Sequence, residues 1–279
     1  MAESVLERLN INTELTREII VNFIRDEVYK NGFERAVIGV SGGIDSALSA
    51  FLAAEALGAE NILGIRMPHR LSSKASLQDA QKVIDALGIR HDTVEITAMV
   101  DPLIERFPEM SKLRQGNIMA RQRMIILYDQ SSAFGGLVVG TSNKTEFLLG
   151  YTTLYGDSAV AFQPIADLYK YQIRLLAKAV GIPQSILDKA PSADLWTGQT
   201  DEGELGYTYN TADQILYLLV DQRYSIEEVE MAGFNRDLVE SIWQRVRRNH
   251  YKRTMPNIAK ISYRSVGHDF LYVRDWGAG

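Results

Sequence analysis

Residues 37–46 read Val-Ile-Gly-Val-Ser-Gly-Gly-Ile-Asp-Ser, an apolar run that drives directly into two adjacent glycines. Ala47, Leu48, Phe51, Leu52 and Ala54 then repeat at helical spacing. The pattern commits this part of the chain to strand, turn and helix, the opening unit of an α/β fold. A turn of this kind suits a bound pyrophosphate. Gly42 and Gly43 predict positive φ and close backbone approach, Ser41 and Ser46 offer hydroxyls, and the first helical turn offers unpaired N–H groups. Asp45 would repel phosphate, which assigns it instead to a Mg²⁺ ion bridging to the phosphates. The plain alternative is a Gly-Gly turn with Asp45 as a helix cap. Other phosphate loops do not fit: Ile44-Asp45 stands where a Walker A loop needs lysine, and the three spaced glycines of a dinucleotide fingerprint are absent, although Gly39 precedes the pair.

The rest of the chain carries the same alternation. Leu15, Ile19, Ile20, Phe23, Ile24 and Val28 mark one face of an N-terminal helix that Asn31-Gly32 ends. Strands are predicted at residues 36–40, 62–66 and 93–96 and at the run from Leu137 to Gly140, with helices at 75–87 and 117–132. These elements predict a Rossmann-like, doubly wound parallel sheet of about five strands flanked by helices, with ligands at the strand C-terminal ends. No repeat or linker divides the chain, so one domain is expected over residues 1–279, with an N-terminal helix in 1–30 and a helical and irregular extension over 225–279. Residues 192–207, poor in core-forming side chains, read as a mobile lid or as an ordinary surface loop.

Composition excludes several functions. None of the 279 residues is cysteine, so the thioester-forming nucleophile of common glutamine amidotransferases is missing. An amide-forming ligase of this composition takes free ammonia, or ammonia from a separate protein. There is no basic-then-apolar leader and no apolar run near ~20 residues, which predicts a cytoplasmic protein with no membrane partner. A net charge of −5 disfavours nucleic acid, although Arg245, Arg247, Arg248, His250, Lys252 and Arg253 form a dense basic patch. His69, His91, His250 and His268 lack the paired spacing of metal ligands.

Further candidates follow from position. Glu146 opens a predicted helix, where an acid serves as a cap or as a second carboxylate for the ion at Asp45. Asn117 and Arg121, four apart on one helix, share a face that can hold a carboxylate or phosphate, or simply pair with surface charge, while Arg123 points elsewhere. Arg66 and His69 end or follow the second strand, where they either line a nucleotide pocket or stand in solvent.

Ser41-Gly42-Gly43-Ile44-Asp45-Ser46 resembles the SGGxDS loop of the N-type ATP pyrophosphatases. Gly140-Thr141-Ser142-Asn143-Lys144-Thr145-Glu146, Tyr155-Gly156-Asp157, Pro191-Ser192-Ala193-Asp194-Leu195 and Asp201-Glu202-Gly203-Glu204-Leu205-Gly206-Tyr207 follow in order. Together these blocks resemble the ammonia-dependent NAD synthetases. The resemblance implies an adenine nucleotide alpha-hydrolase-like fold, ATP as co-substrate, Mg²⁺, deamido-NAD and ammonia as substrates, and a homodimer. It implies catalytic roles for Asp45, Lys170 and Asp157, and a metal pair of Asp45 and Glu146. ATP contacts are implied for Gly39 and the turn residues Ser41, Gly42, Gly43, Asp45 and Ser46. They are implied likewise for Arg66, Thr141, Lys170 and Ser192. Asn117, Arg121 and Asp157 are implied for deamido-NAD. From sequence alone Lys170 reads equally as a solvated helix lysine. Two other functions stay open: an amide ligase with a different acceptor, and an ATP-binding module without chemistry.

Overall fold

A computed structural model describes residues 4–192, 194–196, 198–267 and 269. Four strands, β1 (Arg35–Gly39), β2 (Ile62–Arg66), β3 (Arg90–Thr93) and β4 (Gly136–Val138), form one sheet in the order β3-β2-β1-β4. All three pairings are parallel. The chain winds outward from β1 to β3 and then returns to place β4 on the other side of β1. That reversal makes the C-terminal end of β1 the switch point where open α/β sheets bind ligands.

Period-two alternation sorts the sheet residues onto two faces. Ala36, Ile38 and Val40 join one core cluster with residues of α1 (Thr13–Lys30), α2 (Ile44–Leu57) and α3 (Lys74–Leu87). Val37 and Ile65 face a second cluster with Val100 of α4 (Thr97–Arg106) and Met119 and Ile126 of α5 (Lys112–Phe134). Burying both faces explains why β1 and β2 read as apolar runs rather than as alternating ones. Beyond β4 come α6 (Lys144–Leu149), α7 (Lys170–Ala179), α8 (Gln184–Leu187) and α9 (Asp201–Leu205). Next come α10 (Tyr209–Leu216), which runs into a π turn at Tyr217–Asp221, and then the extension with α11 (Ile226–Met231) and α12 (Arg236–Arg248). Its helices share a third apolar cluster with Leu149 of α6 and with Tyr169.

Two expectations about the sheet change. Among the described residues the fifth strand shrinks to a single parallel bridge between Val139 and Phe162. Pro164, two residues on, has no N–H with which to continue a ladder. The third strand occupies Arg90–Thr93 rather than 93–96, because it is an edge strand of exposed polar residues whose place is set by pairing with β2. No helix among the described residues is long and apolar enough to cross a membrane.

Candidate active site

The turn after β1 is held by its own hydroxyls. Ser46 Oγ donates to Gly43 O at 3.0 Å and lies 3.0 Å from Ser41 Oγ, while the backbone N–H groups of Ser41 and Gly43 donate to Ser46 Oγ and Ser41 Oγ. The two hydroxyls expected as ligand donors therefore brace the loop. The first bond within α2 runs from Ala47 N to Gly43 O, so the N–H groups of Ile44, Asp45 and Ser46 precede the helical ladder and form the anion-binding end. Only one of the two glycines takes positive φ: Gly42 stands at +78° and Gly43 at −93°. Gly42 also packs tightly on α3, where a Cβ would lie 2.1 Å from Ser76 O.

A cleft of about 820 Å³ opens over this turn, with Gly39, Ser41, Gly43, Asp45 and Ser46 on its wall. Arg66, Thr141, Lys170 and Ser192 line it as well, as do Asn117, Arg121, Glu146 and Asp157. Two carboxylates meet at its base. Lys170 Nζ lies 2.5 Å from Asp45 Oδ2 and 3.2 Å from Glu146 Oε1, and Asn143 Nδ2 donates to Asp45 Oδ1 at 2.9 Å. Asn143 and Glu146 close a reciprocal capping box at the start of α6, which fixes both side chains. Burial raises the Glu146 pKa, and the neighbouring Asp45 charge adds to the rise against the opposing pull of Lys170. Burial opposes the charge of Lys170, yet Asp45 and Glu146 together lift its pKa above the ordinary lysine value. The ammonium also sits over the Tyr209 ring, 5.1 Å from its centre.

Lys170 is aimed by buried polar groups. Its backbone N–H donates to Thr145 Oγ1, whose hydroxyl donates to Asp213 Oδ1 at 2.6 Å, and the other Asp213 oxygen accepts Tyr171 N–H at 2.7 Å. Burial pushes the Asp213 carboxyl up to about 6. Asp213→Ala strands the partly buried Tyr171 N–H at the start of α7 and the buried Thr145 hydroxyl of α6. The expected cost is about 2–4 kcal/mol in urea unfolding, together with loss of activity through misplacement of Lys170. Unchanged stability would remove this account of the lysine.

Another wall of the cleft is built from α5 and the loop after α6. Thr153 Oγ1 donates to Asn117 Oδ1, Thr153 N donates to Asp157 Oδ1, and Arg121 Nε donates to Leu154 O. Burial raises the Asp157 pKa, despite the hydrogen bond from Thr153. The expected lid is tied down at several points. Ser192 Oγ donates to Gln199 O, Gln199 Nε2 donates to Glu204 Oε1, and Tyr151 OH lies near both Asp201 and Glu204. Gly116 of α5 leaves room for the cover, since a Cβ there would meet Leu195 Cδ1 at 2.8 Å. Ala193 and Thr197 of this segment lie outside the described residues, as does His268.

Residues 16–256 match the family described as NAD synthase. The chain belongs to the NAD synthase family. It is 53% identical to the NH(3)-dependent NAD(+) synthetase of Trichlorobacter lovleyi, over 98% of this chain and 100% of the relative. The NH(3)-dependent NAD(+) synthetase of Fusobacterium nucleatum is 50% identical over 92% and 99%. Among solved structures, the NH3-dependent NAD synthetase of Campylobacter jejuni superposes with a TM-score of 0.77 at 33% identity. It aligns over 90% of this chain and 100% of its own. The NMN synthetase of Francisella tularensis gives 0.79 at 32%, with the same coverage.

Arg123 does point elsewhere than Arg121, and from there it lines the cleft, with Nε donating to Met67 O at 3.0 Å. Two readings of other side chains in this NAD synthase are corrected by the geometry. His69 is buried beside the strand end rather than in the pocket, and its Nε2 bonds Asp101 Oδ1 at 2.9 Å, which ties the loop to α4. Much of the basic patch is inward-facing. Arg245, Lys252 and Arg253 donate to main-chain carbonyls of residues 147–152, where they satisfy the C-terminal end of α6 and hold the loop that follows it. Tyr151, Tyr209 and Asn143 also belong to the site; their sequence signal was only that they sit in or beside the ordered motif blocks.

Proposed function

We propose that the protein joins ammonia to the nicotinate carboxylate of deamido-NAD at the expense of ATP, giving NAD, AMP and pyrophosphate, the final step of NAD synthesis. The observation that carries this reading is the meeting of Asp45, Glu146 and Lys170 beside an anion-binding turn at the sheet's switch point. The N–H groups that open α2 hold the departing diphosphate, and Lys170 supplies positive charge beside it. Asn117 and Arg121 receive the acceptor, so its carboxylate stands in line with the α-phosphorus and forms an acyl-adenylate. Ammonia then displaces AMP. Asp157, whose affinity for a proton is raised by burial, lies on the acceptor side as a candidate base. The segment from Ser192 to Glu204 excludes water from the activated acyl group.

Asp45 and Glu146 fit a Mg²⁺ ion: they present hard carboxylate oxygens, both within 3.2 Å of one cationic atom. Mg²⁺ takes one or two carboxylates with phosphate oxygens, and bound there it would neutralise charge on the leaving diphosphate.

The whole chain acts as one unit in this reading, and its setting is the cytoplasm. A homodimer is part of it, supported by exposed large apolar side chains on α4 and α5, among them Met99, Leu103, Leu113 and Ile125. Sedimentation is expected to give twice the 31.3 kDa chain mass. A monomer at micromolar concentration would count against the dimer.

The deciding assay incubates the protein with ATP, Mg²⁺ and ammonium and a panel of acceptors, then follows AMP and amide. Deamido-NAD is expected to be the best acceptor. Preference for nicotinate mononucleotide would favour the second reading, raised by the likeness to the Francisella NMN synthetase. No AMP with any acceptor would leave a nucleotide-binding module.

A further inference from the structure

The cations of the cleft differ in one respect: what they are bonded to. Lys170 bridges two carboxylates. Lys189 serves Gly42 O and Ser76 Oγ and lies 3.7 Å from Asp79, and Lys252 serves two carbonyls. Arg121, Arg123 and Arg245 each spend only Nε, on Leu154 O, Met67 O and Leu149 O, but Arg121 is exposed and Arg245 lies over the Tyr151 ring, whereas Arg123 is half-buried with no ring of the described residues beside it. Among the described residues no hydrogen bond or ion pair reaches its Nη1 or Nη2.

Its position explains why this matters. Two residues apart on a helix, Arg121 and Arg123 project about 200° apart. Arg121 holds Leu154 O from the exposed side, whereas Arg123 turns under the cleft toward Met67, the residue that follows β2. Burial disfavours its charge, and Asp157 and Asp194 support that charge through space. Neither acid pairs with it directly: Asp157 Oδ1 accepts Thr153 N and Asp194 Oδ2 accepts Ser73 N. A withdrawn guanidinium without a counter-ion is costly to keep, and its planar Nη1–Nη2 fork matches the two oxygens of a phosphate or carboxylate.

We propose that Arg123 is a substrate contact: its free fork binds an oxyanion of one of the two large substrates, while Met67 O fixes the plane of the guanidinium. This rests on the synthetase reading and adds a residue to it. The oxyanion comes from the ATP phosphates or from the acceptor.

Calorimetric titration of the full chain with ATP–Mg²⁺ alone and with deamido-NAD alone distinguishes the sources without turnover. In Arg123→Gln and Arg123→Lys one of the two Kd values is expected to rise roughly 10- to 100-fold, since lysine keeps the charge but loses the fork. The affected ligand names the source. Added guanidinium is expected to restore part of the affinity in Arg123→Ala, which a merely structural role would not allow. Both affinities within twofold of wild type, with or without a fall in Tm, would reduce Arg123 to a prop for the Met67 carbonyl and overturn the proposal. Should Arg123→Gln fail to fold, Arg123→Lys and the guanidinium experiment decide. Failure of the synthetase reading is seen separately, as absence of AMP from the unaltered protein.

Discussion

Asp45→Asn is expected to lower AMP formation roughly 10³-fold or more at saturating substrates, the scale of losing a fixed charge where charge develops in a transition state. The carboxylate has two jobs in the structure, accepting Asn143 Nδ2 through one oxygen and Lys170 Nζ through the other. An amide of the same shape can still accept from one partner, but it carries no charge for a metal ion and turns an N–H₂ toward the other. Glu146 would then be left to accept the Lys170 ammonium without the Asp45 charge beside it. Binding of ATP measured without Mg²⁺ is expected to change little, because the N–H groups that open α2 are untouched. Retention of a tenth of the wild-type rate would show that Asp45 caps the helix and does nothing more.

Gly42→Ala is expected to be the most destabilising single-methyl change in the phosphate turn, about 3–5 kcal/mol in urea unfolding, with nucleotide binding lost alongside. Two costs combine. A non-glycine residue at φ +78° carries a left-handed penalty of about 1–2 kcal/mol, and the added carbon lies 2.1 Å from Ser76 O and 3.0 Å from Ala80 N, both backbone atoms of α3. Neither can rotate away, so α3 must move. Gly43→Ala is the control, since its φ is −93° and its Cβ meets only Ser41 Oγ at 3.4 Å. Equal stability of the two variants would refute the packing account.

The contrast between these neighbours marks where the sequence was legible and where it was not. The strand, turn and helix at residues 35–57 were readable because local signals agreed: an apolar run, a glycine pair, then helical periodicity. Asp45 and Glu146 could be paired from sequence through chemistry and resemblance, and the fold brings them to one lysine. Helical spacing separated Arg123 from Arg121 but could not place it in the cleft, because it measures angle around α5 and says nothing about which neighbours enclose it. The inward turn of Arg245, Lys252 and Arg253 was hidden for a different reason. A basic run reads as solvated surface unless one knows that the end of α6, a hundred residues earlier, presents bare carbonyls to it. β3 was displaced because edge strands need no apolar residues, and the fifth strand was overcounted because a bridge beside a proline leaves little trace in composition.

The hydroxyl relay from Ser41 through Ser46 to Gly43 has a thermodynamic consequence. The turn is already rigid before nucleotide arrives, so its loss of conformational freedom belongs to folding rather than to association. Any large unfavourable entropy seen when ligand enters therefore originates in other parts of the molecule.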